Sequence, residues 1–268
     1  MRCSTPLLPI ALPALVFLAA CTGRSSSRTA RAKLSARAAG EGYVGSAACG
    51  KCHAEHYDRW KGSMHAMAMR RVNVADAPGI AKDSVDVSWG EGASGRLFVS
   101  GGTLSFSVRE PGIARGPYAL SYVLGGRYIA QYLAETGDGR LQALAVGFDP
   151  IKGDWFDIFA DSARKSEDWG HWANRGMTAN SECIACHVTG FHKGYDGAAD
   201  SYTTTWSETG VGCEACHGPG AEHVRKRAEG KQLVASDDYR VPSGQAMMQG
   251  CATCHSLRLT GGNPIVVA

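Results

Sequence analysis

Hydrophobic and polar positions change their period along the chain, and the changes divide it into segments. From Val44 to Arg71, Ala48, Cys52, His56 and Trp60 recur at every fourth residue, the spacing of one helical face. Gly62-Ser63 interrupts that run, and Ser63 is placed to cap a second helical piece containing Met64, His65, Met67 and Met69. Over residues 85–160 the period falls to two. Leu104, Phe106 and Val108 alternate with serines, Gly101-Gly102 offers a hairpin turn, and Tyr118–Leu124, Tyr128–Ala134 and Leu141–Phe148 are further strands. Gly125-Gly126 and Gly137-Asp138-Gly139 separate them. After Trp155 the pattern returns to loops and short helices.

The first twenty residues follow another rule. Arg2 precedes an apolar stretch from Leu7 to Ala20 that contains two prolines and is too short to span a bilayer comfortably. It ends in Leu18-Ala19-Ala20-Cys21, which resembles the lipobox of bacterial lipoproteins. Cleavage there discards Cys3 and leaves Cys21 as a lipid-modified N-terminus. More than one acyl chain makes such an anchor stable. An ordinary signal peptide and an uncleaved anchor are the alternatives. Thr22 in place of an aspartate resembles lipoproteins sent on to the outer membrane, so the expected location is the periplasmic face of that membrane.

Charge changes this picture once it is divided. Arg2, Arg24, Arg28, Arg31, Lys33 and Arg37 lie in residues 1–40 without any acid, so the rest holds 22 basic and 25 acidic residues although the whole chain is +3. Residues 21–40 therefore read as a flexible basic tether beside an anionic membrane surface, and residues 41–268 as a slightly acidic globular part. Nothing supports nucleic-acid binding. No glycine pair opens a helix after a strand in a nucleotide-binding pattern, and there is no G-x-S-x-G nucleophile setting.

The chemistry lies in one repeated pentapeptide. Cys49-Gly-Lys-Cys52-His53, Cys183-Ile-Ala-Cys186-His187, Cys213-Glu-Ala-Cys216-His217 and Cys251-Ala-Thr-Cys254-His255 are C-x-x-C-H sequences, the attachment signature of c-type haem. Two thiols at that spacing reach the two vinyl groups of a porphyrin, and the next residue turns an imidazole onto its iron. Structural zinc needs two cysteine pairs per metal and gives no reason for a histidine after every pair, and a disulfide framework gives none either. The four motifs absorb eight of the ten cysteines and predict four covalently bound haem c groups, each with its iron. The 34 glycines suit a chain whose backbone must approach porphyrin faces. The resulting expectation is a mainly α fold with extensive loops around four c-type haems, plus a small inserted antiparallel β-sheet at about 85–160. Sites two and three are close in sequence, so their haems are expected to be neighbours.

The motifs and their flanks resemble the tetrahaem cytochromes c of the cytochrome c-554 type, acceptors of electrons from hydroxylamine oxidoreductase. The resemblance is carried by Trp60-Lys-Gly-Ser-Met-His65-Ala-Met-Ala-Met69, by Cys186-His187-Val-Thr-Gly-Phe191 and, most specifically, by Gly210-Val-Gly-Cys213-Glu-Ala-Cys-His217-Gly-Pro-Gly220. The inserted sheet and Tyr202-Thr-Thr-Thr-Trp206-Ser-Glu look more like the haem modules joined to tetratricopeptide repeats. Such relatives continue past their fourth motif, whereas thirteen residues follow His255 here, as in a truncated or reduced version.

The resemblance implies that each iron takes its second ligand from a distant part of the chain, and it points to His65, His171 and His223. His192 reads as an exposed histidine. His56 stands three residues after His53 on one helix and cannot cap the opposite face of the same haem. The fourth iron is then open, capped by a weaker histidine, or capped by a methionine such as Met64, Met247 or Met248. Two functions follow. Fully capped irons make an electron carrier between respiratory redox proteins, whereas an open iron makes a reductase of a small nitrogen or sulfur compound. No catalytic residue is assigned by the sequence.

Overall fold

The computed structural model describes residues 42–74, 77, 84–90, 92–111, 113–160, 162, 164–232 and 244–256. The expected signal peptide, the tether and the lipidation site Cys21 lie outside the described residues.

Two short helices open the described chain: α1 (Ser46–Gly50) and α2 (Ala54–Lys61). Strand β1 (Met69–Arg71) follows, and then seven strands in succession: β2 (Val85–Trp89), β3 (Ala93–Ser100), β4 (Thr103–Glu110), β5 (Ile113–Gly125), β6 (Ala130–Gly137), β7 (Arg140–Asp149) and β8 (Asp154–Asp157). β2 to β8 pair antiparallel in sequence order, and β1 adds to β5 with Met69 opposite Leu124. The sheet curls until its two ends meet, where the Gly90 N–H donates to Asp157 Oδ2 at 2.9 Å. It is a nearly closed barrel.

Alternation makes the barrel interior. Val87 and Trp89 on β2, Leu97 on β3, Leu104, Phe106 and Val108 on β4, and Val123, Tyr132, Leu144 and Val146 on the later strands form one buried cluster. Trp172 closes it from the following loop. Only 2% of this residue is exposed, it meets Phe106 edge-on at 6.5 Å, and its Nε1 donates to Glu110 Oε1 at 2.6 Å.

β7 breaks the alternation. Leu141 to Phe148 are all buried, as in a strand covered on both faces. The covering layer is the next part of the chain: α3 (Ala179–Glu182), α4 (Ile184–His187) and β9 (Val188–Thr189). Ala179, Ile184 and Val188 bury themselves there against Met69, Tyr122, Leu124, Leu133, Leu141 and Ala143. Full burial of a side chain like Ile184 contributes about 1.5–3 kcal/mol. Polar groups fix the register of this layer. Asn180 Oδ1 accepts the Leu141 N–H at 2.8 Å, and its Nδ2 donates to the Gly139 carbonyl and to Thr204 Oγ1. Gln142 donates to the carbonyls of Trp172 and Asn174 and accepts from the Thr178 hydroxyl.

Beyond α4 come two small ribbons, in which β10 (Tyr195–Asp196) pairs with β11 (Ser201–Tyr202) and β12 (Glu208–Thr209) returns to β9. Helices α5 (Cys213–His217), α6 (Ala221–Ala228) and α7 (Gln245–Ala252) end the described chain. Among the described residues no helix is long and apolar enough to cross a membrane.

The expected mainly α fold with a small inserted sheet is therefore wrong. Among the described residues strands hold 36% and helices 24%, and the sheet has eight strands. A C-x-x-C-H motif fills little more than one helical turn, so four motifs carry little helix, while β2, β3 and β8 enlarge the sheet beyond the strands that the alternation singled out. The second helical piece after Ser63 is also absent. Ser63 Oγ does accept the Ala66 N–H at 3.3 Å, but the chain makes only turns before Met69 enters the sheet. The Val211 N–H takes the His65 carbonyl, and the Gly125 N–H takes that of Ala68, so tertiary partners replace helical ones.

Asn180→Ala strips partners from the Leu141 N–H and the Gly139 carbonyl inside this layer. Each unsatisfied buried group costs about 1–3 kcal/mol, so the variant is expected to lower unfolding stability by roughly 2–4 kcal/mol, read as a shift of the denaturant midpoint.

Candidate haem-binding centre

Each C-x-x-C-H sequence lies on or beside a short helix, which sets the two thiols and the histidine on one side of a single turn. None of the eight motif cysteines forms a disulfide. Burial, the adjacent Cys213 thiol and the Glu214 carboxylate push the Cys49 thiol up to about 11. Burial, the Glu182 charge and Cys186 push Cys183 up to about 11 as well. Burial and the nearby Cys251 and Cys254 thiols raise Cys216.

These neighbours also give the motifs a spatial order. Cys49 of motif one adjoins Cys213 of motif three, and Cys216 of motif three adjoins Cys251 and Cys254 of motif four. A cavity of about 440 Å³ is lined by Cys183, Cys186 and His187 of motif two together with Cys254 of motif four. The sequence neighbours two and three are thus linked through motif four.

Two glutamates hold motif three against motif one. Glu214, within the motif, accepts the N–H groups of Val44, Gly45 and Gly220 at 2.7–3.1 Å. Glu208 accepts from the Ser46 N–H and from the Ser46 hydroxyl at 2.7 Å, and Ser46 Oγ in turn accepts the Cys213 N–H at 3.0 Å. Charge-assisted bonds of this kind are about twice as strong as neutral ones. Sequence reasoning assigned no role to either glutamate, although Glu214 sits between the cysteines of its motif.

The histidines separate into pairs. The His53 and His223 rings stand 6.3 Å apart, and those of His65 and His255 stand 6.1 Å apart. Two imidazoles on opposite sides of one iron are separated by about 6.4 Å, from about 2.0 Å for each metal–nitrogen bond and roughly 1.2 Å from nitrogen to ring centre. The two pairs fit that gap, and each joins a motif histidine to one from a remote segment. His56 also lies 6.4 Å from His53, but it belongs to α2, which His53 caps, so both rings project from one helical turn.

His187 makes a different contact. Its Nδ1 lies 2.7 Å from the Ala68 carbonyl oxygen, and donation to that oxygen leaves the lone pair on Nε2, in a residue that lines the cavity. Besides His187 and the three cysteines, the cavity wall is built from Leu124, Gly125, Ile129, Gln131, Glu182 and Ser256, and contains no second histidine or methionine among the described residues.

His65 is held by its own backbone. The Val211 N–H donates to its carbonyl at 2.8 Å, and the Trp60 Nε1–H donates to the Val211 carbonyl at 2.8 Å. Gly210, at φ 79°, lies so close that a Cβ would stand 2.5 Å from the Ala66 carbonyl oxygen. His171 is elsewhere. It is buried beside the barrel end, its Nε2 is 3.0 Å from Glu110 Oε1, and its Nδ1 accepts the Ala173 N–H at 3.3 Å. His192 is half-buried in a bridge to Thr205, and Met64, Met247 and Met248 are exposed. His217 ends α5.

Comparison with known proteins agrees with this chemistry. A family model described as cytochrome c554 and c-prime matches residues 48–89 and 159–218, which contain motifs one, two and three and flank most of the barrel. Cytochrome c-554 of Nitrosomonas europaea is 30% identical over 92 residues, a match spanning 30% of this chain and 37% of that protein. Among solved structures, the outer cell wall cytochrome OcwA has a TM-score of 0.44 at 21% identity, over 80% of this chain and 37% of its own. An undecahaem cytochrome from the S-layer of Carboxydothermus ferrireducens has a TM-score of 0.45 at 19% identity, over 80% of this chain and 25% of its own. In its attachment motifs and over the matched segments the chain is similar to the cytochrome c554 group of multihaem c-type cytochromes, and it spans well under two thirds of the length of the relative it matches.

Proposed function

We propose that this chain is an exported tetrahaem electron carrier, with haem c attached at Cys49 and Cys52, Cys183 and Cys186, Cys213 and Cys216, and Cys251 and Cys254. His53, His187, His217 and His255 are the first ligands to the four irons. His223 is the second ligand opposite His53, and His65 the second ligand opposite His255. The observation that carries this reading is the pair of ring separations, 6.3 and 6.1 Å, each matching the span of one iron. Haem c held by these cysteines and histidines would supply one-electron exchange.

The chain's own residues set the conditions for that exchange. Trp60, Val211 and Gly210 hold the backbone of His65 in place, Glu214 and Glu208 clamp motif three to motif one, and the Ala68 carbonyl orients the His187 ring. The order of adjoining motifs, one to three to four to two, would give electrons a route in either direction. Redox proteins of a respiratory chain are the partners, and lipid attached at Cys21 keeps the carrier at the periplasmic face of the outer membrane. The cytochrome c relatives support a site outside the cytoplasm. His171, bonded to Glu110, is the remaining distal ligand proposed from family resemblance.

One observation favours a second reading. Among the described residues the cavity beside His187 offers no second histidine or methionine, which suits an open iron at motif two and hence binding or reduction of a small nitrogen or sulfur compound. The two readings part in one measurement. Haem content and low-temperature electron paramagnetic resonance of the oxidised holoprotein are expected to give four haems per chain, with low-spin signals from the His53 and His255 centres. Fewer than four haems would sink the tetrahaem reading, and a high-spin component abolished by cyanide would reveal an open iron at motif two or three, which His187→Ala and His217→Ala tell apart.

The ligand pairs have their own test. His223→Ala and His65→Ala are each expected to convert one of the four haems from low spin to high spin without loss of haem. Gly210→Ala, which forces a Cβ against the Ala66 carbonyl at a positive φ, is expected to convert the same haem as His65→Ala, whereas Trp60→Phe gives a smaller high-spin fraction.

A further inference from the structure

A second cavity, of about 580 Å³, lies between β5, β7 and the loop that follows the barrel, and no residue of a C-x-x-C-H motif lines it. Its volume is that of a small-molecule site. Trp169 of its wall is 65% exposed and yet fixed in place. The indole lies against Gly176, where a Cβ would stand 2.5 Å from Cε3, and the Gly176 N–H donates to the Trp169 carbonyl at 2.9 Å. Asn174 Nδ2 donates to the carbonyls of Ser166 and Asp168, which pins the loop on the approach to Trp169. A large aromatic face that is already immobilised loses little freedom when a ligand stacks on it.

Most polar groups of the wall are engaged with one another. Asp200 accepts from Arg140 at 2.7 Å, from Arg175 at 3.2 Å and from the Tyr195 hydroxyl at 2.8 Å. Gln142 is bonded to Trp172, Asn174 and Thr178, and Glu167 accepts from the Ser166 hydroxyl at 3.2 Å. A sugar is held through free carboxylates and amides that bond its hydroxyls, and this wall keeps few of them. The guanidiniums are less evenly matched. Arg115, Arg140 and Arg175 face two carboxylates, of which Asp200 serves Arg140 and Arg175 together. No acid pairs with Arg115 among the described residues, so the wall carries one positive charge in excess. What it leaves unengaged is an indole face and a planar guanidinium.

We propose that this cavity binds a planar aromatic molecule carrying one anionic group, a carboxylate or a sulfonate. Its rings stack on Trp169, and Arg115 takes the anion in a two-bonded fork. The site goes beyond the carrier reading and does not depend on it. It is nevertheless joined to motif two, because Thr178 of its wall is the N-cap of α3 and Cys183 is the C-cap of the same helix.

The test is calorimetric titration of the oxidised full-length holoprotein with naphthalene-2-sulfonate at low ionic strength. One site is expected, with a dissociation constant of about 10–100 μM. Trp169→Ala and Arg115→Ala are each expected to weaken binding about tenfold, and Trp169→Phe to retain most of it. Both side chains are exposed, so the variants are expected to keep the fold and haem content of the wild type. Arg96→Ala, whose partner Asp86 lies outside the cavity, is expected to bind as the wild type does. The non-aromatic cyclohexanesulfonate and the uncharged naphthalene-2-methanol are each expected to bind at least about tenfold more weakly than the probe. Absence of binding at millimolar probe would overturn the proposal. So would unchanged affinity in both Trp169→Ala and Arg115→Ala, since the probe would then sit elsewhere, at a haem edge for instance. Equal affinity for cyclohexanesulfonate would remove the stacking claim, and a disaccharide bound through Trp169 in place of the probe would make the cavity a sugar site.

Discussion

The burial of β7 on both faces is the constraint from which the rest of the architecture follows. Its inward side chains, Leu144, Val146 and Phe148, fill the barrel, while Leu141 and Ala143 belong to the outer layer formed with Ile184 and Val188. A strand exposed on one side would need polar residues there, and Leu141 to Phe148 offer only Gln142. Gln142 is itself buried and spent on Trp172, Asn174 and Thr178, so the strand has no solvent face. Motif two is thereby fixed to a rigid wall, with Cys183 and His187 only a few residues from the pinned Asn180.

The other motifs have less of a wall and rely on polar clamps. Glu214 and Glu208 gather N–H donors from residues 44 to 46 and from Gly220, and so join segments about 170 residues apart in sequence. A buried carboxylate is costly unless its oxygens are filled with donors, and Glu214 has three backbone N–H groups around it. Such clamps suit a protein whose cofactors occupy much of the space that an apolar core would fill. They hold short helices at set separations without requiring those helices to bury one another.

Coordination and architecture meet at Ala68. Its carbonyl accepts the Gly125 N–H, which ties the segment after His65 to β5, and it orients the His187 ring. Two consecutive features of the chain, His65 with its ring beside His255 and the sheet strand β1, therefore bear on two different C-x-x-C-H motifs. The barrel is continuous with the electron-transfer region through this segment, and the β5–β6 turn stands at the mouth of the cavity facing His187.

The four C-x-x-C-H motifs were fully legible in the sequence because attachment chemistry is local: two thiols and an imidazole within one turn suffice to specify it. Strand positions were legible for the same reason, since Leu104, Phe106 and Val108 declare a period of two without help from distant residues. The amount of sheet was not, because Val85–Trp89 and Ala93–Ser100 acquire their status from the neighbours that pair with them. The turns after Ser63 reverse a local helical preference through the Val211 and Gly125 amides, which lie far along the chain. Ligand pairing and motif order belong to the same class. Sequence singled out His65 and His223 by resemblance, but only folding sets His65 beside His255 and His223 beside His53, and only folding links motif two to motif three through motif four. Local covalent chemistry was written in the residues themselves; which distant groups share one cofactor was decided by the barrel, the clamps and the burial that bring them together.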